Sequence, residues 1–148
     1  MNLSSCIAEF QSRWFPHTTD AALDRIIELL EQGSPLLIHG SFNMAVPMGC
    51  LATQIAWHHP RTTELCQEAG IAWLTRVAKL NPATSHVIRL WDLGGQYDWE
   101  LRSTILQECK EERIRRQEQK ALQSSNRWAN LRSEFLESPT VRNDASVS

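Results

Sequence analysis

The chain has 148 residues and a formal net charge of −2. That length suits one domain with a core of its own, with no need of a disulfide or metal staple. The near-neutral balance does not advertise a dedicated nucleic-acid binder, and no run reaches the ~20 apolar residues that span a bilayer.

The opening MNLSSCIAEF lacks a basic start and a long apolar run, so no signal peptide is expected. Cys6, Cys50, Cys66 and Cys109 are scattered and form no CxxC pair. They read as small core residues in a reducing cytoplasm. After Ser4-Ser5, a first helix carries Ile7, Phe10 and Trp14 on one stripe, and Pro16 ends it. Asp20 serves as N-cap to a second helix with Leu23, Ile26, Ile27 and Leu30 inward, stopped by Gly33 and Pro35. Leu36-Leu37-Ile38 reads as a buried helical turn rather than a lone strand, and 40–46 as a loop. Pro47 opens a third helix with Leu51, Ala52 and Ile55, ending near His59 because Pro60 follows.

Thr62 and Thr63 cap a short helix through Leu65, Cys66 and Ala69, and Gly70 marks a break. Ile71, Leu74, Val77 and Ala78 form the next stripe. Asn81-Pro82 reads as a cap followed by Pro at the first helical position, with Val87, Leu90 and Trp91 inward until Gly94-Gly95. Asp98 caps the last long helix, which buries Leu101, Ile105 and Leu106. The stretch KEERIRRQEQK continues that helix with most of its surface solvated. A separate short amphipathic helix follows, with Asn126 as cap and Trp128, Leu131 and Phe135 on its stripe. It either folds back or docks on a partner, and the tail from Ser138 is disordered.

The most specific pattern is an internal echo at a 22-residue offset, in which 51–65 lies over 73–87. Thr53, Ala56, Pro60 and Thr62 match Thr75, Ala78, Pro82 and Thr84, and Ile55 meets Val77. A partial third copy places Leu101 and Ile105 in the slots of Trp73 and Val77. Periods of this length point to stacked repeats, in which equivalent helices bury stripes that one unit cannot cover. Each unit is a helix, a proline corner and a second helix. The Thr two residues after the proline satisfies free backbone N–H groups there.

Val77-Ala78, Asn81-Pro82-Ala83-Thr84, Val87, Asp92, Asp98 and Leu101-Arg102 resemble the leucine-rich variant repeat, a relative of HEAT and armadillo repeats. The resemblance covers about 51–106. It departs where His59 replaces Asn, where Gly94-Gly95-Gln96 lengthens the link, and where the third copy lacks its proline. It implies an all-α fold, a short right-handed α-solenoid-like stack of helix pairs with irregular capping helices, and binding of other macromolecules. The iron–sulfur cluster of one member type is not carried over, because these cysteines do not cluster. The expected organisation is a helical-repeat-like domain over 1–123, the short helix over 124–137, and the tail over 138–148.

His58-His59 does not read as a metal pair, because adjacent helical residues point about 100° apart. The structural alternative is a corner pair with His59 in the Asn81 slot, and His39 and His86 show no partner. No metal site, cofactor, nucleophile elbow or phosphate loop is visible. A helix-turn-helix around Gly70 fails because Arg76 and Lys79 fall on inward positions. Six Trp residues read mainly as core. If a groove exists, Gln54, Trp57, Arg76 and Lys79 line it, against the plain alternative of a solvated face.

The leading expectation is a non-enzymatic protein-protein interaction module. Its partner is another protein or itself, as a homodimer through the last long helix, with no membrane. Trp128, Leu131 and Phe135 join Gln54, Trp57, Arg76 and Lys79 as partner-binding residues. Nucleic-acid backbone contact through Arg113, Arg115, Arg116 and Lys120, aided by Arg89 and Arg102, is the alternative. The interleaved Glu111, Glu112 and Glu118 speak for a solvated mixed-charge helix instead. A small enzyme with a pocket between helices is the third reading.

Overall fold

The structure, a computed structural model, describes residues 3–39, 49–62 and 69–137. They fall into two compact units, Met1–Arg113 and Ile114–Ser148. Among the described residues every regular element is helical, so the all-α class holds.

α1 (Leu3–Glu9) runs on into a wide π turn, Phe10–Trp14, and a 3₁₀ turn, Phe15–His17. Pro16 therefore sits inside the helical run, which ends only at the extended Thr18. At this widening the Ser12 hydroxyl donates to the Ala8 carbonyl at 2.7 Å, four residues back. The Phe15 N–H then reaches Phe10. Trp73–Val77 repeats the device: Thr75 Oγ1 donates to Ile71 O at 2.9 Å, and Ala78 N–H reaches Trp73 O.

α2 (Asp20–Gln32) is capped by Thr19, not Asp20, since Thr19 Oγ1 accepts from Ala22 N at 3.2 Å. Asp20 is its first residue, favourable at the positive end of the helix dipole. Gly33 closes it in the left-handed conformation (φ 61°), with Ser34 N–H on Leu29 O. Leu36-Leu37-Ile38 is not a helical turn. Leu37 forms a one-residue parallel bridge to Gly49, with Ile38 N–H donating to Gly49 O at 3.1 Å and Gly49 N–H to Leu36 O at 2.9 Å.

The expected loop 40–46, the Pro47 helix start and the short helix after Thr63 lie outside the described residues. α3 (Leu51–Ala56) stops three residues short of His59, and all six of its side chains are buried. α4 (Ala69–Ala72) contains Gly70, so Gly70 is no break. The stripe beyond it holds at Leu74, Val77 and Ala78, whereas Ile71 is exposed.

Ser85, not Asn81, caps α5 (His86–Gly94), accepting from Ile88 N at 3.2 Å. Asn81-Pro82 stands earlier, in the turn that leads to the helix. Gly95 ends α5 and opens a 3₁₀ turn to Tyr97. Asp98 caps α6 (Trp99–Glu137), with its Oδ1 on Leu101 N at 3.1 Å. α6 has no break at Asn126, so the short helix expected over 124–137 is not a separate element. Its Glu, Lys, Arg, Gln and Ala content is strongly helix-forming, and Gln107 bonds Glu111 one turn on. The tail from Ser138 lies outside the described residues.

Every member of the buried core lies between Cys6 and Cys109. Trp14, Trp73 and Trp91 are fully buried at its centre. Trp14 packs on Trp73 with ring centroids 5.1 Å apart and on Phe10 at 5.2 Å. Each buried indole N–H is satisfied: Trp14 by Glu9 at 2.9 Å, Trp73 by His17 O at 3.1 Å, and Trp91 by Ile38 O at 2.8 Å. Cys6, Cys50 and Cys109 lie inside this core as thiols bound in no disulfide. Burial, with the nearby Glu9 charge, pushes Cys6 up to about 12, and burial raises Cys50.

Candidate functional site

Two features of the described surface carry chemistry. The first is a polar cleft of the first unit between α1 and the corner before α5, lined by Ser5, Glu9, Ser12, Arg13, Lys79 and His86. Glu9 is the buried charge at its floor, and its carboxylate accepts from Trp14 Nε1 (2.9 Å), Ser85 Oγ (2.6 Å), His86 N (2.9 Å) and Val87 N (3.2 Å). A carboxylate on a helix N-terminus answers both the free N–H groups and the dipole of α5. Beside it Arg13 donates to Lys79 O at 2.7 Å, and Lys79 stands at φ 58°, a left-handed conformation at the helix end that Leu80 N–H closes on Leu74 O at 2.8 Å. With four donors on Glu9, the cleft ties α1 to α5.

The second feature lies in the second unit. Trp128, Leu131 and Phe135 sit on one face of α6 and are 71%, 50% and 77% exposed. Ile114, Leu122 and Leu136 are exposed on the same helix. Trp128, Leu131 and Phe135 form one stripe on a continuous helix, not on a separate short one.

The remaining residues singled out from sequence scatter. Gln54 is interior, donating its amide to Leu36 O at 3.1 Å, and so lines no surface. Trp57 is half-buried against the core. Arg76 and Lys79 are exposed, and Lys79 alone of these four borders the polar cleft. Arg113 pairs with Asp24 at 3.5 Å, and Lys110 with Glu31 at 3.0 Å. Arg115 and Lys120 are exposed and Arg116 is half-buried. Arg102 is spent on capping α2, with Nε 2.9 Å from Leu30 O. Arg89 is exposed on α5.

His39 does have partners: it meets the Tyr97 ring edge-on at 5.9 Å and lies against Gly95. His59 Nδ1 accepts from Arg61 N at 3.2 Å, as Asn81 Oδ1 accepts from Ala83 N at 2.9 Å. Among the described residues no three of His, Cys, Asp and Glu gather to hold a metal ion, and no helix is long and apolar enough to cross a membrane.

Sequence reasoning passed over Glu9 and Arg13. The available signal was weak: Glu9 follows buried Cys6 by three residues, on a face where a charge needs a partner. Comparison with known protein families, curated proteins and solved structures finds no match.

Proposed function

We propose that this chain is a non-enzymatic protein-protein interaction module that engages its partner through the stripe on the second half of α6. The exposure of Trp128, Leu131 and Phe135 on one helical face carries this reading. Two large aromatic rings and a leucine left in water are costly, and Trp in particular is the usual anchor of an interface. An amphipathic helix offered in this way is a recurrent mode of recognition.

The first unit is then the scaffold, of helical-repeat type, with proline-cornered helix pairs in a short solenoid-like stack. The two corners support that reading at local scale. Thr62 N–H donates to His59 O and Thr84 N–H to Asn81 O, both at 3.0 Å. Both threonine hydroxyls lie 3.4 Å from the same carbonyls. Buried thiols bound in no disulfide suit a reducing cytoplasm.

A photo-crosslinking residue placed at Leu131 in cells making the full chain tests the proposal. Adducts are expected, and they should vanish when Trp128→Ala and Phe135→Ala are added. Absence of adducts, or adducts indifferent to those two changes, would overturn it.

A further inference from the structure

We propose that the partner is a second copy of this chain, lying antiparallel along residues 117–135; this rests on the interaction reading above. The argument is one of register. Ile114, Ala121, Trp128 and Phe135 recur every seven residues along α6, and Gln117, Ser124 and Leu131 follow the first three of them by three. These are the seam positions of a two-stranded coiled coil.

Laid antiparallel about Asn126, the two copies meet in layers of unequal size. Ala121 faces the partner's Leu131, Trp128 faces the partner's Ser124, and Phe135 faces the partner's Gln117. Large side chains meet small or slender ones, which lets layers interdigitate. The overlap of 19 residues (117–135) extends about 28 Å.

The flanking charges select this register. Glu118 faces the partner's Arg132, and Lys120 faces the partner's Glu134. Each contact occurs twice by symmetry, against one repulsive contact, Arg127 with its own copy on the axis. All five of these side chains are exposed. Sliding one heptad toward the N-terminus keeps two attractive contacts, Glu111 with the partner's Arg132 and Arg113 with the partner's Glu134, but raises the repulsive contacts to two by setting Lys120 against Arg127 twice. A parallel pair sets Arg127 against Arg132 twice and has one attractive contact, Arg113 with the partner's Glu118, also made twice, so its charges only balance. It also stacks Trp128 on Trp128 and Gln117 on Gln117, large on large and polar on polar.

Sedimentation equilibrium of the full chain, from micromolar to millimolar, should show a monomer–dimer equilibrium. K120E and E134K should each weaken the dimer roughly tenfold, and the double variant K120E/E134K should restore it. Mild oxidation of mixed A121C and L131C chains should link them, while A121C chains alone should behave as the unsubstituted control.

A dimer indifferent to K120E, or one in which A121C chains link to each other, would overturn the antiparallel register. A monomer at every concentration would overturn self-pairing. If that monomer still gives photo-adducts with another protein, the interaction reading survives. If it gives none, both fall.

Discussion

Glu9 shows how much one side chain holds. Its two oxygens receive four donors, one from Trp14 in the π turn after α1 and three from the start of α5. Glu9→Gln replaces one acceptor oxygen with a donor facing donors, so it should cost about 2–3 kcal/mol, read as a fall in urea midpoint. An unchanged midpoint would mean those contacts contribute little. Gly95 is a second point of no freedom. Its φ is 56°, and a Cβ there would stand 2.7–2.8 Å from three atoms of His39. Gly95→Ala should therefore cost roughly 1–3 kcal/mol in the same assay, strain and clash together. The stop at Gly94-Gly95 was legible as glycine punctuation. The His39 contact was not, because it joins residues 56 positions apart in sequence. The sequence reading of Cys6, Cys50 and Cys109 as packing residues was sound, since small apolar-behaving thiols on helical stripes go inward.

Elements were legible where apolar residues recur at helical spacing and obscure where side chains bond backbone. α2 and α5 follow their stripes, and Leu23, Ile26, Ile27, Leu30, Val87 and Trp91 are all buried. The wide turns at Phe10–Trp14 and Trp73–Val77 each carry one hydroxyl bonded to the carbonyl four residues back, Ser12 and Thr75, and periodicity does not register a single inserted step. Caps slipped for a related reason, because Thr19 beside Asp20 and Ser85 after Asn81 are equally good candidates by residue type. The corners give a test at this scale. The His59 pKa is lowered by burial first, then by the Arg61 and His17 charges. The unfolded chain therefore binds the proton more readily. The contribution of this group is present above its unfolded value of 6.5, and it is lost as pH falls from there through the lower folded value. His59→Asn puts the residue of the second corner into the first and keeps an acceptor for Arg61 N–H. Stability at pH 7 should change by less than about 0.5 kcal/mol, while the loss between pH 7 and pH 5 should shrink. Guanidinium melts at both pH values measure this. A steeper loss in the variant would contradict the corner equivalence.

At the scale of the whole chain, the helical class follows from periodicity alone, because almost every apolar stripe repeats at three and four residues. Pairing between elements does not follow, because a stripe states that a face is buried and not what covers it. The ties that decide pairing are polar and long-range: Glu9 to the start of α5, Trp91 to Ile38, and Gln96 to Ser34 at 2.6 Å and Leu37 at 3.2 Å. Gln96 Oε1 is buried with no partner among the described residues, so even this joint is bonded on one side only. The distribution of the core makes the last prediction. Its members run from Cys6 to Cys109, and the ion pairs Lys110–Glu31 and Arg113–Asp24 also fall inside the first unit. Cutting after Arg113 removes none of these contacts. It places a carboxylate at the negative end of a helix, an unfavourable position that amidation relieves. The amidated 1–113 chain should thus unfold cooperatively, within about 1 kcal/mol of the full chain in urea. It should also lose all self-association, because 117–135 is gone. A cut chain that unfolds non-cooperatively would place part of the stabilising surface after Arg113. A cut chain that still dimerises would move the interface off the second half of α6 and onto the first unit.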